Sequence, residues 1–257
     1  MISLTLLSLH GYSQVVQSKI VYHCVTNLAQ GPILDGRNTL HFNQEVGLFI
    51  HNDYPKENEY EDIGNTVRFV KGDPEGLPVF LNLKERHLYY KSNYGSANEL
   101  FIFKEELPDI AWDIRQETRK IGDLLCTKAI GNFGGRTYEV WFTPEIPVSL
   151  GPYKLWGLPG LILEARSRDG KVVYEFQSFD PDPEEPVALK KPTQGKEISW
   201  EEFEQFIINK LLRVETMSTA EVRFTNHDPP ADWTIERNRF TIISDYKRKR
   251  GDSGGEK

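Results

Sequence analysis

The chain has 257 residues and a formal net charge of -7, with a sequence pI near 5.5. This length suits one large or two small domains and allows a sizeable core to be buried. The acidic balance argues against a nucleic-acid partner, because phosphate binding needs a basic face. Hydrophobic residues make up 39% and aromatic residues 12%, which is typical of a globular protein that favours strands.

The first thirteen residues resemble the end of a secretory signal peptide. An apolar run over residues 1–9 is followed by Gly11 and Ser13, a small-x-small pattern that predicts cleavage after Ser13. The run is too short to span a membrane, and no later stretch is apolar enough for a transmembrane helix. No Lys or Arg precedes Lys19. Either the true start codon lies upstream, or the segment is a first strand.

Short apolar segments separated by turn sequences predict a β-rich chain. Strands are predicted at residues 18–28, 39–42, 46–50, 67–70, 79–81, 88–90, 100–103, 112–114, 123–133, 136–143, 161–166 and 172–179. Residues 52–64 are predicted to form a charged loop. Gly134-Gly135 and Asp169-Gly170 are hairpin signals. The pattern indicates a meandering, strongly curved antiparallel sheet of about eight to eleven strands.

One helix is predicted at residues 199–213. Ser199 and Glu202 have the spacing of a capping box, in which each side chain satisfies a free backbone N–H. An apolar face follows at helical spacing, formed by Trp200, Phe203, Phe206, Ile207 and Leu211. We expect this face to pack on the sheet, although a groove on a partner is an alternative.

We expect a single β-rich domain over residues 14–245. Before the predicted helix, residues 180–196 read as a Pro-rich, charged linker. After the domain, residues 246–257 form a polar tail that is predicted to be disordered, because it has almost no apolar surface to bury.

The stretch from Trp141 to Glu164 is the most informative part of the chain. Pro144 and Pro147 keep the residues after an aromatic strand from forming a helix. Turn chemistry follows at 151–152 and 157–160, before an apolar strand resumes at 161. So many rigid turn residues between two strands predict a corner that holds one shape.

This stretch resembles the GLPGLI family, a Porphyromonas-type family of exported Bacteroidetes proteins. The hexapeptide consists of Gly157, Leu158, Pro159, Gly160, Leu161 and Ile162. Further matches are Ile110-Ala111-Trp112, Ile121-Gly122, 126–129, Phe133, Arg136, Tyr138, 141–143, 145–147, Gly151-Pro152 and Leu163-Glu164. The family is functionally uncharacterised. The resemblance therefore implies export to the periplasm or outer membrane of a Gram-negative bacterium, without a mechanism.

The two cysteines, Cys24 and Cys126, are far apart in sequence. In an oxidising compartment they would be able to form a stabilising disulfide. The alternative is two buried thiols on separate strands. Cys126 falls on the family pattern and Cys24 does not.

No motif for catalysis, a metal or a cofactor is found, so catalytic residues, metal and cofactors are all predicted to be absent. The scattered histidines have no helical metal-site spacing. Glu145 and Arg136 lie on the family pattern. We interpret each first as a charged residue that fixes the turn through a buried ion pair, with ligand contact as the alternative.

The aromatic residues Trp141, Phe142, Tyr153 and Trp156 cluster around the corner. They either line a pocket for an apolar, lipid or peptide ligand or belong to the core of the sheet. We predict a half-barrel with one packed helix, resembling the lipoprotein-carrier folds of the periplasm. The first functional hypothesis is a non-catalytic binding protein. The second is an envelope protein that docks on an outer-membrane partner, and the third is a hydrolase or metal-dependent enzyme.

Overall fold

The computed structural model describes residues 17–27, 34–54, 56–57, 59–63, 66–70, 72–92 and 100–217. The predicted signal segment, the polar tail and both ends of the predicted 14–245 domain lie outside these residues. Side chains at 34, 59–63, 66–70, 92, 207 and 210–217 are likewise outside the description.

The described part of the chain is mainly β, as predicted. Its strands are β1 Ser18–Thr26, β2 Leu34–Phe42, β3 Val46–His51, β4 Glu59–Ile63, β5 Thr66–Val70, β6 Val79–Asn82, β7 His87–Ser92, β8 Phe101–Glu106, β9 Asp113–Ile121, β10 Leu124–Phe133, β11 Arg136–Thr143, β12 Leu161–Ser167, β13 Val172–Asp180 and β14 Lys196–Ile198. The helix α1 spans Trp200–Met217.

A single open, curved sheet of 12 strands dominates the fold, in the order β14-β8-β7-β6-β3-β2-β1-β13-β12-β11-β10-β9. The sheet consists of two antiparallel meanders that meet where β1 pairs with β13. The predicted curved sheet with one helix is confirmed for the described residues. The expected strand number of eight to eleven is too low. The short pair β14–β8 is also parallel rather than antiparallel.

The sequence analysis missed β4 and predicted only part of β9, because their sequences lack an apolar alternation. β4 and β5 form a separate hairpin, and β4 lies within the residues predicted as a charged loop. β9 spans Asp113–Ile121, whereas the sequence predicted a strand at residues 112–114 only. In both cases backbone hydrogen bonds to a neighbouring strand form the strand, although the side-chain pattern does not predict it.

The predicted capping box of α1 is confirmed. The Ser199 backbone N–H donates to Glu202 Oε2 (2.9 Å), and the Glu202 N–H donates to Ser199 Oγ (3.2 Å). Phe203 is fully buried, with its ring centroid 5.1 Å from that of Phe103 and 5.5 Å from that of Phe101. The helix therefore packs its apolar face on β8.

The chain crosses from one end of the sheet to the other between β8 and β9. Residues 107–112 make this crossing, and the corner between β11 and β12, residues 144–160, lies against them. Trp112 Nε1 donates to the carbonyl of Trp156 (2.8 Å), and Trp156 Nε1 donates to the carbonyl of Pro108 (2.7 Å). These two connections are thus joined by reciprocal indole hydrogen bonds, and they form part of the core.

Candidate functional site

The corner of residues 144–160 packs across the core face of the first meander. Leu150 pairs with Trp156 in an isolated bridge, and it lies so close to Gly47 on β3 that a Cβ there would be 3.0 Å from Leu150 Cδ1. The Tyr22 hydroxyl on β1 donates to the carbonyl of Ile162 (2.7 Å). The corner therefore fills the inside of the curved sheet with side chains of its own.

Close backbone packing explains the glycines of the signature. Gly157 has φ +95°, a conformation that is strained for residues with a Cβ. A Cβ on Gly160 would collide with the Thr143 carbonyl. Leu158, Leu161 and Ile162 are buried, and Pro159 lies between the two glycines. The signature residues thus have a structural role in this fold.

Three of the four aromatic candidates belong to the core. Phe142, Tyr153 and Trp156 are all buried, and Tyr153 packs edge-on against Phe49 of β3 with 6.3 Å between ring centroids. Tyr153 also adopts φ +58°, which is uncommon for a residue with a side chain. These contacts favour the core interpretation over the open pocket.

A buried cation beside these rings was missed by the sequence interpretation. Lys154 Nζ lies 3.4 Å from the ring centroid of Tyr90 and 3.9 Å from Glu105 Oε2. Glu105 Oε1 accepts hydrogen bonds from the Tyr90 hydroxyl (2.6 Å) and from the Trp200 indole N–H. Lys154 thereby links the corner to β7, β8 and the start of α1.

Trp141 differs from the other three aromatics because it lies on the opposite face of β11. Residues paired across an antiparallel sheet share a face, and Trp141 is opposite Lys128 on β10 and Glu164 on β12. The guanidinium of Arg119 on β9 lies 4.3 Å from the Trp141 ring centroid, and Lys128 Nζ lies 5.9 Å from it. We call Arg119, Lys128, Trp141 and Glu164 the Trp141 cluster.

Carboxylates accompany both cations of the Trp141 cluster. Arg119 binds Glu164, and Lys128 Nζ is 2.9 Å from Glu139 Oε2. Trp141 is half-buried, and Arg119 is exposed at the end of the sheet. A half-exposed indole covered by an arginine is a surface suited to binding another polypeptide.

Glu145 and Arg136 each bind a different part of the fold. Glu145 is exposed, and its Oε1 accepts the Leu125 backbone N–H on β10 (2.7 Å). Arg136 Nε is instead 3.3 Å from Asp169 Oδ2. The two charged residues therefore fasten different turns.

Asp169, the partner of Arg136, is held ionised. Burial by itself would raise the pKa of Asp169, but hydrogen bonds from the Ser167 hydroxyl and the Lys171 backbone N–H, together with the Arg136 guanidinium, hold it below its ordinary value of 3.8. This network joins the turn between β10 and β11 to the turn between β12 and β13.

The hypothesis that Cys24 and Cys126 form a disulfide is wrong for this fold. Both are buried free thiols, on β1 and β10, with β13, β12 and β11 between them in the sheet. Burial raises the pKa of Cys126 to about 11 and raises that of Cys24 as well. Both thiols are therefore protonated at neutral pH, which does not suit a nucleophile.

The described residues contain no group of three or more His, Cys, Asp or Glu side chains placed to hold a metal ion. Across the same ranges, no helix combines the length and apolar character needed to cross a membrane. His23 binds Asp35, with 2.6 Å between Nε2 and Oδ1. Burial lowers the pKa of His51 to about 4.

A family model matches residues 134–164 of this chain. Its description is "Protein of unknown function (Porph_ging)". The matched residues run from the turn before β11, through the corner, to Glu164 of the Trp141 cluster. The stretch from Trp141 to Glu164, which the sequence analysis found most informative, therefore resembles an uncharacterised Porphyromonas-type family. Among curated proteins, none matches the chain.

Two solved structures of PNGF-II, in space groups P21 and C2, have a similar fold. Each has a TM-score of 0.51 and covers 74% of this chain, with 17% and 18% sequence identity respectively. This chain spans only 32% of each PNGF-II chain. At this identity the likeness shows the β-rich fold alone.

Proposed function

We propose that this protein is an exported, non-catalytic binding protein that pairs an extended polypeptide segment of a partner protein with β9. The observation that carries the proposal is the end of the sheet formed by β9. Among the described residues β9 pairs with β10 alone, and all eight residues from Asp113 to Lys120 are exposed. A long terminal strand of this kind offers its free backbone groups to an incoming strand.

The register identifies the backbone groups that are available. Ile121 and Leu124 flank the two-residue turn between β9 and β10, so their backbone groups bond to each other as the closing pair of the hairpin. Antiparallel pairs alternate between bonded and non-bonded positions. The N–H groups of Thr118 and Lys120 therefore point away from β10, towards a strand added at the edge.

Side chains near this edge can add specificity to backbone pairing. Ile114 and Leu125 are each 49% exposed and are the exposed large hydrophobic residues of the described chain. Arg119 of the Trp141 cluster belongs to β9, so the cluster extends to the same edge. Alternate pockets for side chains beside a free strand are the usual means by which such edges select a peptide.

The interior of the sheet supports a carried apolar or lipid ligand less well. The corner places Leu150, Tyr153, Leu155, Trp156 and Leu158 in the core, where such a ligand would have to lie. We therefore place the bound peptide at β9 rather than on the core face of the sheet.

Export to the periplasm or outer membrane, and a partner at the outer membrane, are parts of the proposal that rest on the family resemblance. An edge that pairs with another protein also suits an envelope protein that docks on a partner. A protein that binds a partner by pairing with β9 also docks on that partner, so the first and second functional hypotheses coincide in this proposal.

The test is selection of extended peptides from a random-sequence display library on the immobilised full chain. Selected peptides should bind Thr118→Ala as they bind the native chain, because alanine keeps the N–H. They should lose binding at least about tenfold to Thr118→Pro, because proline removes that donor. On an edge strand this N–H is not used by β10, so the proline should leave the fold intact.

Two results would overturn the proposal. One is that no peptide is enriched on the native chain or on a chain ending at Met217, in which residues 218–257 are unable to cover the edge. The other is that Thr118→Pro binds the selected peptides as well as Thr118→Ala does. Circular dichroism and a urea titration of each variant would establish that both remain folded.

A further inference from the structure

Lys91 on β7 is a fully buried lysine with two carboxylate partners. Its side chain is 0% exposed, and its Nζ lies 2.6 Å from Asp73 Oδ1 and 2.8 Å from Glu75 Oε2. Both acids belong to the loop of residues 72–78, which follows β5 and precedes β6. Removing a charged lysine and aspartate from water costs several kcal/mol per ion, so this arrangement needs an explanation.

Asp73 is unusual in that one of its oxygens is satisfied and the other is not. Oδ1 accepts from Lys91 Nζ and also from the Glu75 backbone N–H (2.9 Å). Oδ2 is buried and has no hydrogen-bond partner within the described part of the chain. A buried oxygen without a partner is energetically costly in a folded protein.

The loop holds these groups in fixed positions. The Gly76 N–H donates to the Asp73 carbonyl (2.8 Å), and the Lys91 N–H donates to the Pro78 carbonyl (3.4 Å). Gly76 has φ +72° and Leu77 has φ +46°. A non-glycine residue with positive φ persists only where its surroundings enforce it. The amine and the carboxyl are therefore kept at bonding distance.

We propose that Lys91 and Asp73 become joined by an isopeptide bond, with Glu75 as the group that transfers protons. The nitrogen of Lys91 attacks Cγ of Asp73, and the Cγ–Oδ2 bond breaks. Oδ1 remains as the amide oxygen, and Oδ2 leaves as water.

Atoms and charges balance without any other reactant. The ammonium of Lys91 gives up two protons, which Glu75 Oε2 accepts in turn and passes to the departing oxygen. The positive charge of Lys91 and the negative charge of Asp73 disappear together. The product amide keeps one N–H for Glu75 Oε2 and one oxygen for the Glu75 backbone N–H.

The environment favours this condensation. In water an ion pair of amine and carboxylate is well solvated, but burial removes that solvation and favours the neutral amide. Fixed proximity replaces an encounter in solution, and well-oriented intramolecular reactions reach effective molarities of about 10⁵–10⁸ M. The departing oxygen is the one that has no partner to lose.

The other lysine–acid pairs of the described chain lack this combination. Lys154 is also buried, but its Nζ is 3.9 Å from Glu105 Oε2, which is beyond hydrogen-bond distance, and Glu105 Oε1 is bound by Tyr90 and Trp200. The pair Lys19–Asp180 is 3.6 Å apart, with side chains 34% and 42% exposed. Solvent stabilises the ions of such a pair, so no condensation is expected there.

The bond would join β7 covalently to the loop of residues 72–78, which follows the β4–β5 hairpin. It would close a covalent ring through β6 and β7 and would resist extraction of these strands. A cross-link of this kind needs no redox chemistry, and this chain has no disulfide between its two cysteines.

The experiment is a tryptic digest of the purified, denatured full chain, analysed by mass spectrometry. A bond at Lys91 blocks cleavage there, so peptide 72–84 should appear joined to peptide 87–104, with a mass one water below their sum. Lys91→Arg should give separate peptides. Glu75→Gln, which keeps both reacting side chains, should reduce the joined species at least about tenfold.

Separate peptides 72–84 and 87–91 as the only products of the folded native chain would overturn the proposal. A loss of water confined to one of the two peptides would also count against it. Full joining in Glu75→Gln would overturn the role of Glu75. Since the native chain alone gives the primary result, a variant that fails to fold does not decide the outcome.

Discussion

The strands at the two ends of the large sheet differ in length, in exposure and in whether a helix packs beside them. At one end, β14 is only three residues long and leads directly into α1, which packs Phe203 against the rings of β8. At the other end, β9 is nine residues long and exposed over nearly its whole length. One edge is short and accompanied by a helix, whereas the other presents a long strand. A long edge strand with one side unpaired is a ready template for pairing with another chain, whereas a short edge strand is not.

The largest expected effect concerns the end that carries the helix. Phe203→Ala removes a fully buried ring that packs against four other aromatic side chains. We expect the free energy of unfolding to fall by about 3–5 kcal/mol. A urea titration measures the change, with Phe203→Leu as a control that keeps most of the apolar volume. A loss below about 1 kcal/mol would mean that α1 does not pack as the structure shows.

The second prediction concerns His51, which lies at the end of β3 beside Tyr153 of the corner. Burial lowers the pKa of His51 from 6.5 to about 4, so the unfolded chain binds more protons between these values. Stability from this group is complete above pH 6.5 and is lost as the pH falls towards about 4.

The His51 contribution is measured as a difference between two proteins. His51→Gln should lose less stability than the native chain between pH about 7.5 and about 4.5, by roughly 1–3 kcal/mol, since a shift of one pKa unit is worth about 1.4 kcal/mol. The lower part of that range allows for the partial exposure of the residue. Equal pH dependence of the two proteins would show that His51 titrates normally.

The third prediction returns to the helix. Ser199→Ala removes the hydroxyl that accepts the Glu202 N–H. A loss of about 1 kcal/mol in the free energy of unfolding is expected, whereas Ser199→Asp should keep most of it because it is also a good cap. If alanine and aspartate behave alike in urea, the capping box contributes nothing to stability.

The smallest effect on stability is expected at the β9 edge. Replacing both Ile114 and Leu125 with serine changes side chains that are each 49% exposed. Unfolding free energy should stay within about 0.5 kcal/mol per substitution, while capture of selected peptides weakens. A large loss of stability would instead assign these residues to the core and would remove the contrast between the two ends.

Local chemistry explains why parts of the fold were predictable. The capping box at Ser199, the hairpin turn at Asp169-Gly170 and the rigid corner at 157–160 depend on backbone needs that only certain residues meet. Each was found where the sequence placed it. The polar strand β9 was largely missed, because an exposed strand has no apolar alternation to reveal it.

The candidate site was predictable only in part. The segment Tyr138–Phe142 ends in two adjacent aromatic residues, Trp141 and Phe142, so their apolar character does not show which of them faces the core. Register with β10 and β12 places Trp141 on one face and Phe142 on the other. Arg119 was not a candidate at all, because nothing along the chain connects it with Trp141.

The β-rich class, the helix and the position of the corner can be predicted from the amino-acid sequence, since these follow from backbone conformation and local hydrogen bonds. Three features are seen only in the folded chain: the corner fills the sheet, Lys91 and Lys154 are buried, and β9 lies at the end. Burial of a charge and position in a sheet depend on partners distant in sequence, for example Asp73 for Lys91. No local pattern specifies such partners.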